Sequence, residues 1–368
     1  MWESEGVTTR RRRNALQVLG LLIGSIGLSL ALAEILLRLL SPSPYCGIRA
    51  TAPQETFFQY DRLLGWRGVP HAAGPFRGID FDVTVANDGN GFRNQNPPFV
   101  RGKRNLLVLG DSYGWGWGVG NADLFHVELM ELDARWNVYN LSAPGYGTDQ
   151  EYLALEGFLE SRQAEDYEGA ILLFYQNDFE DNASTRRYAY AKPVFLLSND
   201  GELSLANVPV PRRPPRSSWT EYVDEVEPAR WMNISHVYNF LSFKIPEMWE
   251  GMASRRNPSQ RAAEPTSQER EAFGVTTALL VKLAALSLSR GMFLHLVILM
   301  PHNADPEAWQ WDPLEKFLTE RGIGHSRFRS GKLPNTDLWL DGHLAPYGHR
   351  RLASHLLDLL SSPPYTGS

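Results

Sequence analysis

Four short apolar runs constrain the fold of this chain more than any other feature: "NLLVLG" (105–110), "WNVYNLS" (136–142), "GAILLFYQ" (169–176) and "FLHLVILM" (293–300). Leu106-Leu107-Val108-Leu109 has the length and branching of a strand buried on both faces, and Gly110 ends it. The segments 122–134, 149–163, 267–290, 306–321 and 346–360 have helical length or spacing. Strands that alternate with helices form a parallel sheet covered by helices on both sides. The expected fold is therefore α/β, a three-layer α/β/α domain with flavodoxin-like strand order. A chain of 368 residues, 43% hydrophobic and 21% charged, can bury the core that such a domain needs.

The N-terminus has a different character. "ALQVLGLLIGSIGLSLALA" (15–33) carries no charge and has about the ~20 residues needed to cross a bilayer as a helix. "EILLRLL" (34–40) continues it with no small-x-small cleavage site, so it reads as an uncleaved anchor over 14–40 rather than a signal peptide. Arg10 to Arg13 precede the span, and the positive-inside rule holds such a cluster in the cytoplasm. Residues 1–13 are then cytoplasmic, and everything after about 41 faces away from the cytosol.

Residues 41–104 are rich in Pro and Gly and form a β-rich lead-in. Within it Ile79, Phe81, Val83 and Val85 alternate with Asp80, Asp82 and Thr84, the period of a half-buried strand. Phe57, Phe58, Trp66 and Arg67 are read as packing residues. The main domain is expected over 105–361, interrupted at about 182–265 by an insertion that holds "NVPVPRRPPRSSW" and the aromatic-rich "WMNISHVYNFLSFKIPEMW" (231–249). Aromatic stripes are usually core, so packing is the preferred reading of the latter.

In an open parallel sheet, function gathers at the carboxyl ends of the strands. Three of those ends carry unusual chemistry: Gly110-Asp111-Ser112, "SAPGYGTD" (142–149) and "YQNDFEDN" (175–182). If the first strand lies between the other two, Gly145 and Asn177 flank Ser112. A serine hydroxyl needs a base, and Asp341 and His343 stand just before the last helix, with Gly342 allowing the turn between them. His349 and His355 are read as residues of the helix surface.

The ordered combination of these motifs over roughly 105–360 resembles the SGNH branch of the GDSL esterases and acyl hydrolases. "EILLR" after the span, "LLGWRG" (63–68) and "GDSYGWGWGV" (110–119) are similar to membrane-anchored bacterial members. The resemblance implies Ser112 as nucleophile, His343 as base, and an oxyanion hole made by the Ser112 and Gly145 N–H groups and the Asn177 side chain. Asp341 is assigned as the acid that orients His343, with Asp337 as the weaker alternative; many members place the acid where this chain has Leu340. Gln176 stands where the family usually has Gly. Asp111 is read as fixing its loop, and Trp115 and Trp117 as walls of the pocket. The activity implied is hydrolysis of an ester, with O-acyl groups of an envelope or exported glycan as the substrate expected. Transfer of the acyl group through the same acyl-enzyme, or a non-catalytic assembly role, are the alternatives.

The bland reading of each residue stands beside these roles: a helix cap for Ser112, turn chemistry for Gly145 and Asn177, a surface residue for His343. No cofactor is expected. A net charge of -6 argues against a nucleic-acid partner. The single Cys46 cannot form an intramolecular disulfide. No HExxH or paired-Cys spacing points to a metal. His302 and Asn303, after the fourth strand, are taken as possible substrate contacts.

Overall fold

A computed structural model describes residues 3–40, 57–77, 81–93, 100–162, 165–187, 190–212, 235–239, 241, 265–300, 308–330, 337–339 and 342–365. The chain divides into two compact units, Met1–Ile48 with Val226–Arg256, and Arg49–Glu225 with Asn257–Ser368.

The first unit is built on helix α1 (Glu3–Leu40). Its segment Gln17–Leu39, with a mean hydropathy of 2.1, is long and apolar enough to cross a membrane. Apolar side chains stand exposed all round it, among them Leu21, Ile23 and Leu39. One acid interrupts this surface, and its charge is matched locally. Glu34 accepts from Arg38 Nε at 2.8 Å, from the Ser235 hydroxyl and from the His236 and Val237 N–H groups, each at 3.0 Å. It thus caps the four-residue helix His236–Asn239, which belongs to the aromatic-rich segment of the insertion.

The second unit starts with two antiparallel hairpins, β1 (Phe58–Asp61) with β2 (Gly65–Gly68) and β3 (Ala73–Arg77) with β4 (Asp82–Ala86). The α/β layer follows in chain order as β5 (Arg104–Gly110), α2 (Ser112–Trp115), α3 (Phe125–Leu132), β6 (Trp136–Asn140), α4 (Thr148–Ser161), β7 (Gly169–Phe174) and α5 (Asn177–Asn182). Four short strands come next, β8 (Arg186–Arg187) paired with β9 (Tyr190–Ala191), and β10 (Val194–Leu197) paired with β11 (Leu203–Ala206). The layer resumes with α6 (Ser267–Ser289), β12 (Phe293–Met300), α7 (Trp311–Glu320), β13 (Gly324–Arg329) and α8 (Pro346–Leu360).

The central sheet is parallel, ordered β13-β12-β7-β5-β6. This is the flavodoxin-like order, with β5 between β6 and β7. Side chains of a strand alternate between faces, and here both faces are buried. Leu107, Leu109, Leu172, Phe174, Leu296 and Ile298 meet Leu155, Phe158, Leu279, Leu283 and Leu314 from α4, α6 and α7. Leu106, Val108, Ile171, Leu173, Val297 and Leu299 meet Phe125, Leu129, Leu352 and Leu356 from α3 and α8 on the other side. Two apolar layers explain why these strands read as unbroken hydrophobic runs. The edge strand β13 has only one neighbour and only Phe328 fully buried. Its sequence, "GHSRFR", is polar for that reason, and no strand was expected there.

The aromatic residues of the lead-in pack, as expected. Phe57, Phe58, Trp66, Phe76 and Phe81 form one cluster with Trp115, Ala143 and Tyr146. The Phe58 and Trp115 rings lie 5.5 Å apart, and Phe76 meets Trp117 edge-on at 4.9 Å. The hairpins therefore brace the loops after β5 and β6.

Candidate active site

The chain leaves β5 at Gly110 and turns at once into the single helical turn α2. Asp111 caps it, accepting from the Tyr113 N–H at 2.9 Å, so Ser112 opens the turn with its side chain directed away from the strand. Its Oγ lies 2.8 Å from His343 Nε2. The glycines that follow have steric reasons. A Cβ at Gly114 would lie 2.3 Å from Ser142 Oγ, and Gly116 holds φ +85° where a Cβ would come within 2.1 Å of Leu124.

A buried arginine ties this loop down. Arg93 Nη1 donates to the Trp115 and Gly116 carbonyls at 3.0 and 2.7 Å, and Nη2 to Val119 O at 2.6 Å. Its guanidinium also stacks over the Trp115 ring, 4.7 Å from the centroid. Burial lowers its pKa to about 9, which still leaves it charged at neutral pH. His126, whose pKa burial lowers to about 3, is neutral. Its Nε2 lies 2.9 Å from Arg93 O, so that nitrogen carries the proton and Nδ1 accepts from Asn140 Nδ2 at 3.2 Å. Asn140 in turn donates to Gly114 O at 2.7 Å.

His343 sits on a second loop that closes by local hydrogen bonds. Trp339 N–H donates to His343 O at 2.8 Å and Gly342 N–H to Trp339 O at 2.9 Å, with Gly342 at φ +89°. Ala345 N–H donates to Asp337 O at 2.8 Å, and Leu338 and Leu344 form a bridge. The Tyr113 hydroxyl reaches across from the Ser112 turn to Gly342 O, donating at 3.0 Å. The imidazole is stacked against Trp117, with centroids 5.4 Å apart and planes at 27°, and lies 5.0 Å from the Tyr113 ring. Trp117 thus lies against the His343 imidazole, while Trp115, expected as a pocket wall, is a core residue, 2% exposed. Asp341 lies outside the described residues, as do His302 and Asn303. Asp337 is buried, and its carboxylate is bound by Arg351.

Gly145 lies in the loop after β6, at φ +75°. The lead-in holds that loop: Trp66 Nε1 donates to Pro144 O at 3.1 Å and the Tyr146 hydroxyl to Trp66 O at 2.6 Å. Neither the Ser112 N–H nor the Gly145 N–H is used in the backbone hydrogen bonds of the described residues. Asn177 opens α5 after β7. Its Nδ2 donates to Asp111 Oδ2 at 3.3 Å and to Asp181 Oδ2 at 2.9 Å.

Beneath these loops is a concentration of acid that the sequence did not announce. Asp111, Asp149, Glu151, Asp178 and Asp181 are all buried. Arg187 Nη1 lies 3.1 Å from Asp181 Oδ1, and the buried Lys192 binds Asp149. Burial raises the pKa of every one of these acids. Asp181 reaches about 7, and burial together with neighbouring carboxylates pushes Glu151 and Asp178 well above the usual range. Among the described residues no group of three or more His, Cys, Asp or Glu is arranged to hold a metal ion.

One expectation is corrected. His349 is not on the helix surface: it is 1% exposed, lies against the Phe125 ring and accepts from Phe125 N–H at 3.1 Å. It precedes Leu352, Ala353 and Leu356 at helical spacing, on the stripe of α8 that faces the sheet, and that spacing was the signal to read. His355 is half-buried and lies 3.0 Å from Ser326 Oγ. Arg93, Trp66 and Asp181 were not singled out for these roles. Only Asp181 had a local signal, four residues after Asn177 and so on the same face of α5.

The sequence matches no protein-family model and no curated protein. Solved structures of similar fold include a member of the lipolytic G-D-S-L family from Veillonella parvula, at 11% identity over 70% of this chain and 98% of the other, with a TM-score of 0.38. An acylhydrolase from Bacteroides fragilis is similar at 10% identity over 73% and 92% of the two chains, with a TM-score of 0.38. An acetyl xylan esterase from the rumen bacterium Butyrivibrio proteoclasticus is similar at 11% identity over 72% and 64%, with a TM-score of 0.35.

Proposed function

We propose that this chain is a membrane-tethered serine ester hydrolase in which Ser112 is the nucleophile, His343 the base and Asp341 the acid that orients the imidazole. The observation that carries this reading is the 2.8 Å contact between Ser112 Oγ and His343 Nε2 at the carboxyl end of the sheet. Ser112 attacks the ester carbonyl as His343 takes its proton. The tetrahedral oxyanion is held by the Ser112 and Gly145 N–H groups and by Asn177. Collapse breaks the bond to the alcohol, which leaves with the proton from His343. Water then cleaves the acyl-enzyme by the same route, releasing the acid and restoring Ser112.

The substrate class we propose is an O-acylated glycan outside the cytoplasm. Two features support it. Arg10 to Arg13 precede the apolar segment, which orients the rest of the chain outward if that segment spans the membrane. A cleft of about 640 Å³ runs beside α5, lined by Glu180, Ser184, Thr185, Arg186 and Gln268 among others though not by Ser112, Asn177 or His343, and these side chains suit a ligand rich in hydroxyls. His302 and Asn303 are proposed as further contacts.

A fluorophosphonate probe tests the chemistry directly. The wild-type chain in detergent is expected to be labelled on Ser112, with labelling lost in Ser112→Ala and strongly slowed in His343→Ala. A wild-type protein that stays unlabelled, or is labelled elsewhere, would overturn the reading.

A further inference from the structure

The amide nitrogen of Asn177 carries two protons, and both are engaged: one with Asp181 Oδ2 at 2.9 Å, the other with Asp111 Oδ2 at 3.3 Å. Its Oδ1 is buried without a hydrogen bond. Turning the amide over would set Oδ1 against two carboxylates, so these neighbours fix its orientation. An oxyanion arriving at Ser112 can therefore receive an Asn177 N–H only in exchange for one of the two bonds.

The two bonds are unequal. The contact to Asp111 is beyond the usual N–H···O range, and Asp111 keeps the Tyr113 N–H at 2.9 Å after giving it up. Asp181 is held from three sides. It stands four residues after Asn177 on α5, its Oδ1 lies 3.1 Å from Arg187 Nη1, and its backbone carbonyl accepts from the buried Lys192 at 2.9 Å. We propose that Asp181 is the positioning residue of the oxyanion hole: by holding one N–H of Asn177 it fixes the plane of the amide, so that the other N–H can exchange Asp111 for the oxyanion. Asp181 touches neither substrate nor Ser112 in this scheme and acts only through Asn177. The proposal rests on the serine-hydrolase reading.

A double-mutant cycle on the full-length protein tests it, with 4-nitrophenyl acetate as substrate. Asn177→Ala is expected to lower kcat by about 100- to 1,000-fold, the usual cost of one oxyanion donor. Asp181→Ala should lower kcat by about 10- to 100-fold, the scale of a small misplacement, with KM changed less than about twofold because the effect is confined to the transition state. Asp181→Asn keeps an acceptor oxygen and should recover most of that loss. Adding Asp181→Ala to Asn177→Ala should cost nothing more, since the group it positions is gone. If Asp181→Ala alone does not fold, the same cycle is run with Arg187→Ala added to every member, so that no guanidinium is left unpaired. Unchanged kcat in a folded Asp181→Ala protein, or fully additive losses, would overturn the proposal. Failure of the underlying reading shows separately, as a wild-type Ser112 that the phosphonate does not label.

Discussion

The loop that carries Ser112 and the loop that carries His343 meet within hydrogen-bonding distance, yet they are held by different forces. The Ser112 loop is buried from Asp111 to Trp115, and a buried guanidinium binds three of its carbonyls. The described part of the His343 loop is held by its own backbone hydrogen bonds, one bridge, the Arg351 contact to Asp337, the Trp117 stack and a tyrosine hydroxyl borrowed from the other loop. Buried charge that is fully hydrogen-bonded fixes a backbone through the fold as a whole, whereas a locally closed loop can adjust its side chain without disturbing the core. Changes in the first loop should therefore be felt as stability, and changes in the second as catalysis.

The largest expected effect is on the base's side. If Asp341 orients His343, Asp341→Asn should lower ester turnover by about 10⁴-fold by favouring the wrong imidazole tautomer, while the melting temperature stays within about a degree. Asp337→Asn should change turnover little, because the Asp337 carboxylate is already committed to Arg351. Steady-state kinetics on the two proteins decide between the acids, and the reverse ranking would move the assignment to Asp337.

The opposite signature is expected from Arg93→Met. It removes the donor to the Trp115, Gly116 and Val119 carbonyls and leaves buried acceptors without partners. At roughly 1–3 kcal/mol for each orphaned group, a loss of at least about 3 kcal/mol follows. Chemical denaturation should show it directly, and phosphonate labelling of Ser112 should fall only in step with the folded fraction. A protein that keeps wild-type stability but loses labelling would erase the contrast between the loops.

How much of this was legible in the sequence depended on whether a residue's role was local. The runs at β5, β7 and β12 are apolar because both of their faces are buried, and they were readable without knowing their neighbours. The edge strand β13 was not, since His325, Ser326 and Arg327 are half-buried and carry no run. Ser112, Gly145, Asn177 and His343 stood out because each belongs to a short motif that follows a strand or precedes a helix. Arg93 sits in a Gly-rich stretch with no periodicity, and only the folded chain brings its guanidinium to the carbonyls of the nucleophile's loop. Asp149 and Glu151 look like the ordinary acidic first turn of an exposed helix, yet both are buried.

The smallest expected effect concerns pH, and it sharpens the contrast because burial raises every acid beneath the Ser112 and Asn177 loops. Burial raises Asp181 from an ordinary value of 3.8 to about 7, so between those values the folded state holds a proton that the unfolded state has lost. Stability from this group is fully present below pH 3.8 and is lost as pH rises through 7. Asp149, Glu151 and Asp178 shift in the same direction. The buried histidines oppose them: His126 and His349 are lowered to about 3 and His295 to about 4, each from 6.5. Their contribution is present above 6.5 and lost as pH falls toward those values. The two trends offset one another until about one pH unit above 6.5, where the histidines are neutral in the unfolded state as well and the raised carboxyl groups dominate. The melting temperature should therefore decline slightly between about pH 7.5 and 8.5, chiefly through Glu151 and Asp178, and Asp181→Asn, which carries no ionisable proton, should reduce the decline only in part. Differential scanning fluorimetry across that range is sufficient, and a melting temperature that rose with pH there would show that the buried acids under Ser112 are ionised in the folded protein.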